Sequence, residues 1–294
     1  MIRGRAERIA LRTLWWIVMI VFVLFFVVPV LWLVLAPSKS DRQLVFSNPL
    51  ALGTWHNVES AWDLMFSYQS GALISWLENS LIYSGGGLVL ALVCAVPAGY
   101  GLALTEFIGR KLLLGITLVV MLIPSTALVL PLFLEINAVH LADTPWSVIL
   151  PFAFFPFGTY LTYIFFSSTI PKDLLAAARM DGCSEWQVFR RIALPLARPI
   201  VALVGFFAFV SDWNNFFLPY VMLPESSKYP LPVGLQDLLS STPIFNPTAG
   251  GAQVPIYRPD LALAIIVAVV PVLIVFLFSQ RALVSGMLAG ATKE

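Results

Sequence analysis

Two short stretches hold most of the chemistry in this 294-residue chain. The first, SDWNN at 211–215, places Asp212, Trp213, Asn214 and Asn215 inside an otherwise apolar run. A carboxylate and two amides can hydrogen-bond the hydroxyls of a solute, and an indole can stack on a flat ring. Polar groups at membrane depth are expensive and face a bundle interior or a wet cavity. Two readings are therefore open: the four residues line a solute path, or they join helices and satisfy a kinked backbone. The second stretch, AAARMDGCSEWQVFRRIALPLARP at 176–199, carries four arginines and two acids in a chain that is only 11% charged.

Other reactive side chains form no set. His56 and His140 lie far apart in sequence, and Cys94 and Cys183 give neither a disulfide framework nor metal-ligand spacing. No G-x-x-x-x-G-K-[ST] phosphate loop occurs, since Gly85, Gly86 and Gly87 are followed by no lysine. The expectation is no catalytic residue, no metal and no cofactor, and any ATP-driven step would need a partner. A net charge of +1 argues against nucleic acid, which calls for a basic face.

The elements that must position these residues are apolar. With 59% hydrophobic residues the chain cannot cover a soluble surface, because soluble domains are about 25% charged. A bilayer core of about 30 Å needs roughly 20 apolar residues as helix. Six runs qualify, at 14–36, 80–104, 112–134, 146–166, 200–223 and 261–280. The expected fold is all-α, a polytopic protein of six transmembrane helices in membrane lipid. The first run is too long for a signal peptide and has tryptophans near both ends. Prolines and glycines recur inside the runs, as in helices that bend or pack closely.

Loop charges set an orientation. With both termini on one side, that side holds thirteen of the 17 lysines and arginines; the other holds only Lys39, Arg42, Lys228 and Arg258. Basic loops stay in the cytoplasm, so both termini and the charged patch are expected there, in a bacterial-type inner membrane. The implied divisions are a cytoplasmic N-terminus with the first helix (1–36), an extracytoplasmic loop (37–76), a core (77–283) and a cytoplasmic tail (284–294).

Within the charged patch, local chemistry predicts two short helices and a turn. Pro171 suits a helix start, and KDLLAAARMD is built mostly of helix formers. Gly182, after Asp181, stands where a left-handed C-cap belongs. Ser184 and Gln187 read as a capping box for a second helix. Trp186, Phe189 and Ile192 or Ala193 give that helix an apolar stripe, and Pro195 and Pro199 are expected to end it. Such a loop could rest on lipid, but Ala176, Ala177 and Ala178 offer a small-residue face and Asp181-Gly182 a sharp corner. Both fit a docking knob for a protein partner better.

These residues resemble the cytoplasmic loop of binding-protein-dependent ABC importers, whose motif reads E-A-A, three residues, G, nine residues, then I-x-L-P. Ala177, Ala178, Gly182, Ile192, Leu194 and Pro195 match in register, Asp181 matches the usual residue before the glycine, and Ala176 stands at the glutamate position. FVSDWNNFFLPYVML at 209–223, YPLPVGL after it and the tail are similar to the carbohydrate branch, the maltose and glycerol-phosphate permease group. The stretch 240–260 is longer than usual for that group. The resemblance implies a type I ABC importer permease fold in which 171–199 is the coupling-helix loop. It implies that the chain forms half of a path for a sugar, with a second homologous permease, a cytoplasmic ATPase dimer and an extracytoplasmic sugar-binding protein. The alternatives are an ABC permease for a non-sugar solute, which would share the coupling motif, and an ion-coupled transporter, which would usually show intramembrane carboxylates or paired broken helices; Asp212 is the one clear acid at depth.

Overall fold

A computed structural model describes residues 3–242, 245–246 and 256–291. The chain divides into two compact units, Met1–Gly71 with Leu239–Val267, and Ala72–Leu238 with Ala268–Glu294. In the first unit, α1 spans Arg3–Leu35, α2 Asp41–Phe46 and α3 Trp55–Ser67. The most apolar 18-residue window of α1 is 0% buried, so its side chains need lipid or another chain around them. The segment after α1 is knotted by polar contacts instead. Ser40 and Gln43 form a capping box that starts α2. The Lys39 Nζ, in a residue only 2% exposed, donates to the carbonyls of Asn48 and Pro49 at 3.0 and 2.7 Å. Arg258 Nη1 bridges both carboxylate oxygens of Asp41 at 2.9 Å, and Ala36, Leu44 and Ala262 form a small core.

The second unit is organised on α4, an unbroken helix of 33 residues, Ala72–Leu104. Around it come α5 (Arg110–Val120), α6 (Val129–Ala138), α7 (Trp146–Phe152) and α8 (Pro156–Thr169). The charged patch follows as α9 (Lys172–Met180), α10 (Glu185–Val188) and α11 (Leu194–Leu196). The chain ends with α12 (Arg198–Trp213), α13 (Phe217–Met222), α14 (Leu231–Ser241) and α15 (Arg258–Ala291).

Small side chains explain why α4 is central. Gly87, Ala91, Ala95, Gly99 and Ala103 recur every fourth residue and are all buried. Residues four apart share a helix face, so α4 carries a groove that lets other backbones approach closely, as membrane helices require. Thr162 of α8 lies in it, its Oγ1 donating to Ala95 O at 3.0 Å. A Cβ on Gly99 would collide with Thr162 and with the backbone nitrogen of Tyr163.

Four segments are long and apolar enough to cross a membrane, and six if two bent pairs each count as one span. Five of the six expected runs fall on these segments; the second bent pair is Glu185–Leu196 with Arg198–Trp213, so it overlaps the expected 200–223 run only through α12. Three of the expected runs are not continuous helices. The 112–134 run is α5 and the Ser125–Ala138 segment, bent by 104°. Pro124 stands at the break; it supplies no N–H and pushes the residue before it out of helical geometry. The 146–166 run is interrupted at Ala153–Phe155, with Pro156 opening α8. The 200–223 run stops at Trp213 and resumes at Phe217. By contrast, Pro97 and Pro271 lie inside the continuous α4 and α15. The core of the 240–260 stretch and residues 292–294 of the tail lie outside the described residues, and α15 carries the rest of the tail to Ala291.

Candidate functional site

Backbone chemistry builds the corner at 180–186. At the end of α9, Gly182 takes φ +83°, its N–H donating to Arg179 O at 3.0 Å, while Cys183 N–H reaches Ala178 O at 3.0 Å. This pair of bonds is the Schellman ending, and it satisfies the carbonyls of Ala178 and Arg179 at the helix end. Ser184 then caps α10, its Oγ accepting from Gln187 N and its own N–H donating to Gln187 Oε1. The helix start, glycine corner and capping box expected from sequence are thus in place, with Pro171 just outside the first helix rather than inside it.

The expected ending of the second helix is corrected. Pro195 lies within α11, preceded by a wide π turn at Phe189–Ala193, and the chain breaks at Ala197 with a 78° bend into α12. The inward stripe also differs: Leu175, Ala178, Val188, Phe189, Ala193 and Ala197 pack with Tyr100 of α4, Phe165 and Phe166 of α8 and Val204 of α12. Trp186 points away and is 63% exposed, beside Met180 at 88%. Of the alanine face, Ala176 and Ala177 are exposed but Ala178 faces the core. Ile192 and Leu194 are half-buried against this core, and Asp181 and Pro195 are exposed. The element is therefore a folded knob seated on three helices, with a methionine and a tryptophan at its outer corner.

Charge also ties the corner together. Arg179 Nε and Nη2 donate to Glu185 Oε1 and Oε2 at 2.6 and 3.2 Å, and Tyr100 Oη donates to Glu185 Oε2 at 3.2 Å. The Arg179 hydrogen bonds hold the Glu185 carboxyl below its usual range against a smaller opposing effect of burial.

At the other end of the cavity-lining helices, the three interruptions converge. Ser125, Thr126 and Leu128 from the first, Phe154 and Phe155 from the second, and Asn215 and Phe216 from the third line one cavity of about 420 Å³. Irregular backbone at membrane depth is tolerated where it borders a cavity, and the breaks are placed accordingly. Ser211 and Asp212 of α12 complete the polar lining. Asp212 is 9% exposed and its Oδ2 has no hydrogen-bond partner among the described residues. That oxygen sits against the bare Cα of Gly87, where any side chain on α4 would collide with it.

The four SDWNN residues thus separate. Asp212 and Asn215 border the cavity, and Asn215 Oδ1 also accepts from Leu218 N at 3.3 Å to start α13. Trp213 is buried, stacks on Phe209 and donates to Ala268 O at 3.1 Å, so it is a helix-to-helix contact. Asn214 donates to Val210 O at 2.8 Å and satisfies its own helix end. Reasoning from the sequence missed Tyr100, Arg179 and Glu185, whose contacts are made by folding, and Met180, whose exposure no local pattern announces. Among the described residues no cluster of His, Cys, Asp or Glu could hold a metal ion.

Known proteins resemble this chain over most of its length. The model of the family described as binding-protein-dependent transport system inner membrane component matches residues 87–288. The arabinooligosaccharides transport system permease protein of Bacillus subtilis is 33% identical over 92% of this chain and 92% of its own. The trehalose transport system permease protein of Mycobacterium tuberculosis is 32% identical over 97% and 99%. The diacetylchitobiose uptake system permease protein of Streptomyces coelicolor is 30% identical over 96% and 86%. A bacterial ABC transporter structure involved in import of the acidic polysaccharide alginate superposes with a TM-score of 0.79 at 23% identity, covering 94% of this chain and 97% of that one.

Proposed function

Because the chain belongs to the family of binding-protein-dependent transport system inner membrane components, we propose that it is the permease subunit of an ATP-driven importer of sugars. It is a multi-pass membrane protein and a transport subunit, not an enzyme. The broken helices that would have suited an ion-coupled transporter belong here to an importer permease, so that alternative falls.

The observation that carries the coupling role is the shape of 171–199. An element that merely rested on lipid would need neither a left-handed corner nor a core shared with α4, α8 and α12. A corner that presents Met180 and Trp186 outward while its other face is locked to the bundle fits a cleft in an ATPase subunit. Residues 176–195, with Ala176, Ala177, Asp181, Gly182, Ser184 and Trp186 outermost, form that dock. Ala176 supplies no charge to the contact, so the dock holds by shape and apolar area. Thirteen basic residues assigned from the sequence to the corner's side support a cytoplasmic position for it and for both termini.

The solute would pass by the cavity below Asp212. Its lining of Ser125, Thr126, Ser211, Asp212 and Asn215 among phenylalanines offers hydrogen bonds for hydroxyls and flat faces for pyranose rings. The named relatives move arabinooligosaccharides, trehalose and diacetylchitobiose, which supports an oligosaccharide or disaccharide. A second, homologous permease completes the path, and an extracytoplasmic sugar-binding protein delivers to it; a solved relative is described with a pentasaccharide-bound periplasmic protein.

The test is reconstitution of the chain with its co-purifying partners in proteoliposomes and uptake of a panel of labelled oligosaccharides. ATP-dependent uptake of at least one sugar is expected, and Gly182→Pro or Asp181→Lys should abolish ATPase copurification while membrane insertion persists. Uptake of an amino acid or peptide instead of any sugar would move the substrate assignment to a non-sugar solute. Normal copurification and transport in both variants would remove the docking role.

A further inference from the structure

The geometry points to Tyr100 as a latch, a positioning residue through which movement of the corner at 180–186 is passed into α4 and on to the cavity wall at Gly87. This rests on the docking reading above and adds to it the route by which docking would be felt at the solute path.

Tyr100 is only 6% exposed, yet its hydroxyl reaches out to the Glu185 carboxylate at 3.2 Å. The same carboxylate is gripped by Arg179 from the other side of the corner at 2.6 and 3.2 Å. Glu185 therefore joins α9, α10 and α4 through one group. A hydrogen bond to a charged acceptor is directional and stronger than a neutral one, so it transmits sliding as well as pressing. Ring contacts run beside it: Phe189 lies 5.0 Å from the Tyr100 ring and 5.4 Å from that of the exposed Trp186, and Phe166 of α8 lies 5.6 Å from Tyr100.

What happens beyond Tyr100 depends on α4 being continuous. The runs containing α5, α7 and α12 are each interrupted where they meet the cavity, so a push on them is absorbed at a break. From Tyr100 to Gly87 the helix is continuous, with Pro97 inside it, and thirteen residues of helix span about 20 Å. At its far end Gly87 faces Asp212 Oδ2 and Phe152 so closely that a Cβ would overlap both. A shift or rotation of α4 by a fraction of a side chain therefore changes what surrounds the cavity's one carboxylate. Packed interfaces of this kind switch between discrete arrangements rather than deform smoothly. The Arg179–Glu185 pair is half exposed and exposed pairs add little to stability, which leaves transmission as the use that accounts for the three-way contact.

The experiment uses the complete transporter in proteoliposomes, reading ATPase copurification, ATP hydrolysis and sugar imported per ATP. Tyr100→Phe keeps every ring contact and removes only the bond to Glu185. It should retain copurification and hydrolysis and lower sugar imported per ATP about fivefold, the low end of ordinary coupling between sites. Glu185→Gln keeps an oxygen for Tyr100 but not the charge, and should lower the ratio less than Tyr100→Phe does. The exchanged pair, Arg179→Glu with Glu185→Arg, rebuilds the corner's ion pair but takes the acceptor from Tyr100, and should behave like Tyr100→Phe. An unchanged ratio in Tyr100→Phe overturns the latch and leaves the docking reading standing. Loss of ATPase copurification in Tyr100→Phe also overturns it, by making the hydroxyl part of the dock. Failure of the wild-type chain to bring down an ATPase removes the docking reading, and the latch with it.

Discussion

At Gly182 the backbone holds φ +83°, and a Cβ there would meet no atom within 4 Å. Substitution is therefore penalised by backbone conformation alone, not by crowding. Gly182→Ala should cost about 1–2 kcal/mol of local stability, the usual penalty for a left-handed L-residue, and Gly182→Asn less. Thermal unfolding together with ATPase copurification reads both, and equal behaviour of Ala and Asn would show that the corner is not held in this conformation. Asp212 is the opposite case, a buried carboxyl lacking a partner on Oδ2 among the described residues. A carboxyl oxygen buried without a partner carries a desolvation penalty, so Asp212→Asn, which keeps the size of the side chain, should leave the protein about as stable. If the carboxyl lines the solute path, sugar uptake should nevertheless fall about tenfold, roughly the loss of one hydrogen bond. A fall in melting temperature with uptake per folded protein unchanged would assign Asp212 to helix packing instead. Glu185 carries a pH consequence. Its carboxyl is held down chiefly by the Arg179 hydrogen bond. The depressed group lends its stabilisation fully above the unfolded value near 4.5 and loses it as pH falls through the lower folded value. Sugar imported per ATP should therefore be flat between about pH 6 and 8 in this respect, with no histidine-like step; a step near neutrality that vanishes in Glu185→Gln would contradict this protonation state.

Among the elements, α4 makes the sharpest demand on sequence. Gly99 is pressed on the Thr162 side chain and the Tyr163 backbone, whereas Gly85 on the same helix has open space where a Cβ would go. Gly99→Val should separate α4 from α8 and cost about 3 kcal/mol, the upper end of overpacking, while Gly85→Ala should be neutral or slightly stabilising because it removes glycine's entropy cost in a helix. Melting temperatures of the purified variants decide it, and similar values for the two would mean that the groove on α4 does not set the helix separation. The contrast also shows what was legible beforehand. Hydropathy located the apolar runs, because lipid selects composition along a whole segment. It could not locate the breaks, since apolar composition continues across them. Prolines did not help, because Pro124 and Pro156 stand at interruptions while Pro97 and Pro271 stand in unbroken helices. The four-residue recurrence from Gly87 to Ala103 was present in the sequence and marks the packing face. The corner at 180–186 was readable residue by residue because glycine conformation and a capping box are local physics. Tyr100 was not, because its partner lies 85 positions away. For Trp213 the sequence left stacking on a ring and joining helices both open, and the fold turns its indole toward Ala268.

For the whole molecule, the remaining question of physics is which way it sits in the bilayer. The helices themselves are symmetric to lipid, so orientation must come from what flanks them. The end bearing the corner has Arg110, Lys111, Arg179, Arg190, Arg191 and Arg198 in short loops, where basic residues resist translocation. At the other end, Lys228 is a poor anchor of that kind. It is bound to Asp143 at 2.5 Å and Glu225 at 3.2 Å, and the Asp143 hydrogen bond first of all pushes its pKa up. It therefore stays charged, but as part of a cluster with two acids, which carries no net positive charge across. The same end is fixed to α4 by Trp76, Asn79 and Tyr83, which donate to the carbonyls of Ser226, Ser227, Tyr229 and Lys228, so the loop at 224–229 is a rigid extracytoplasmic surface in this orientation. A reporter enzyme active only outside the cytoplasm should then be active when fused after Ser226 and silent when fused after Met180, and a fluorescent protein that matures only in the cytoplasm should light up at either terminus. The reverse pattern would put Met180 and Trp186 on the side that has no ATP, and a dock there could couple to nothing.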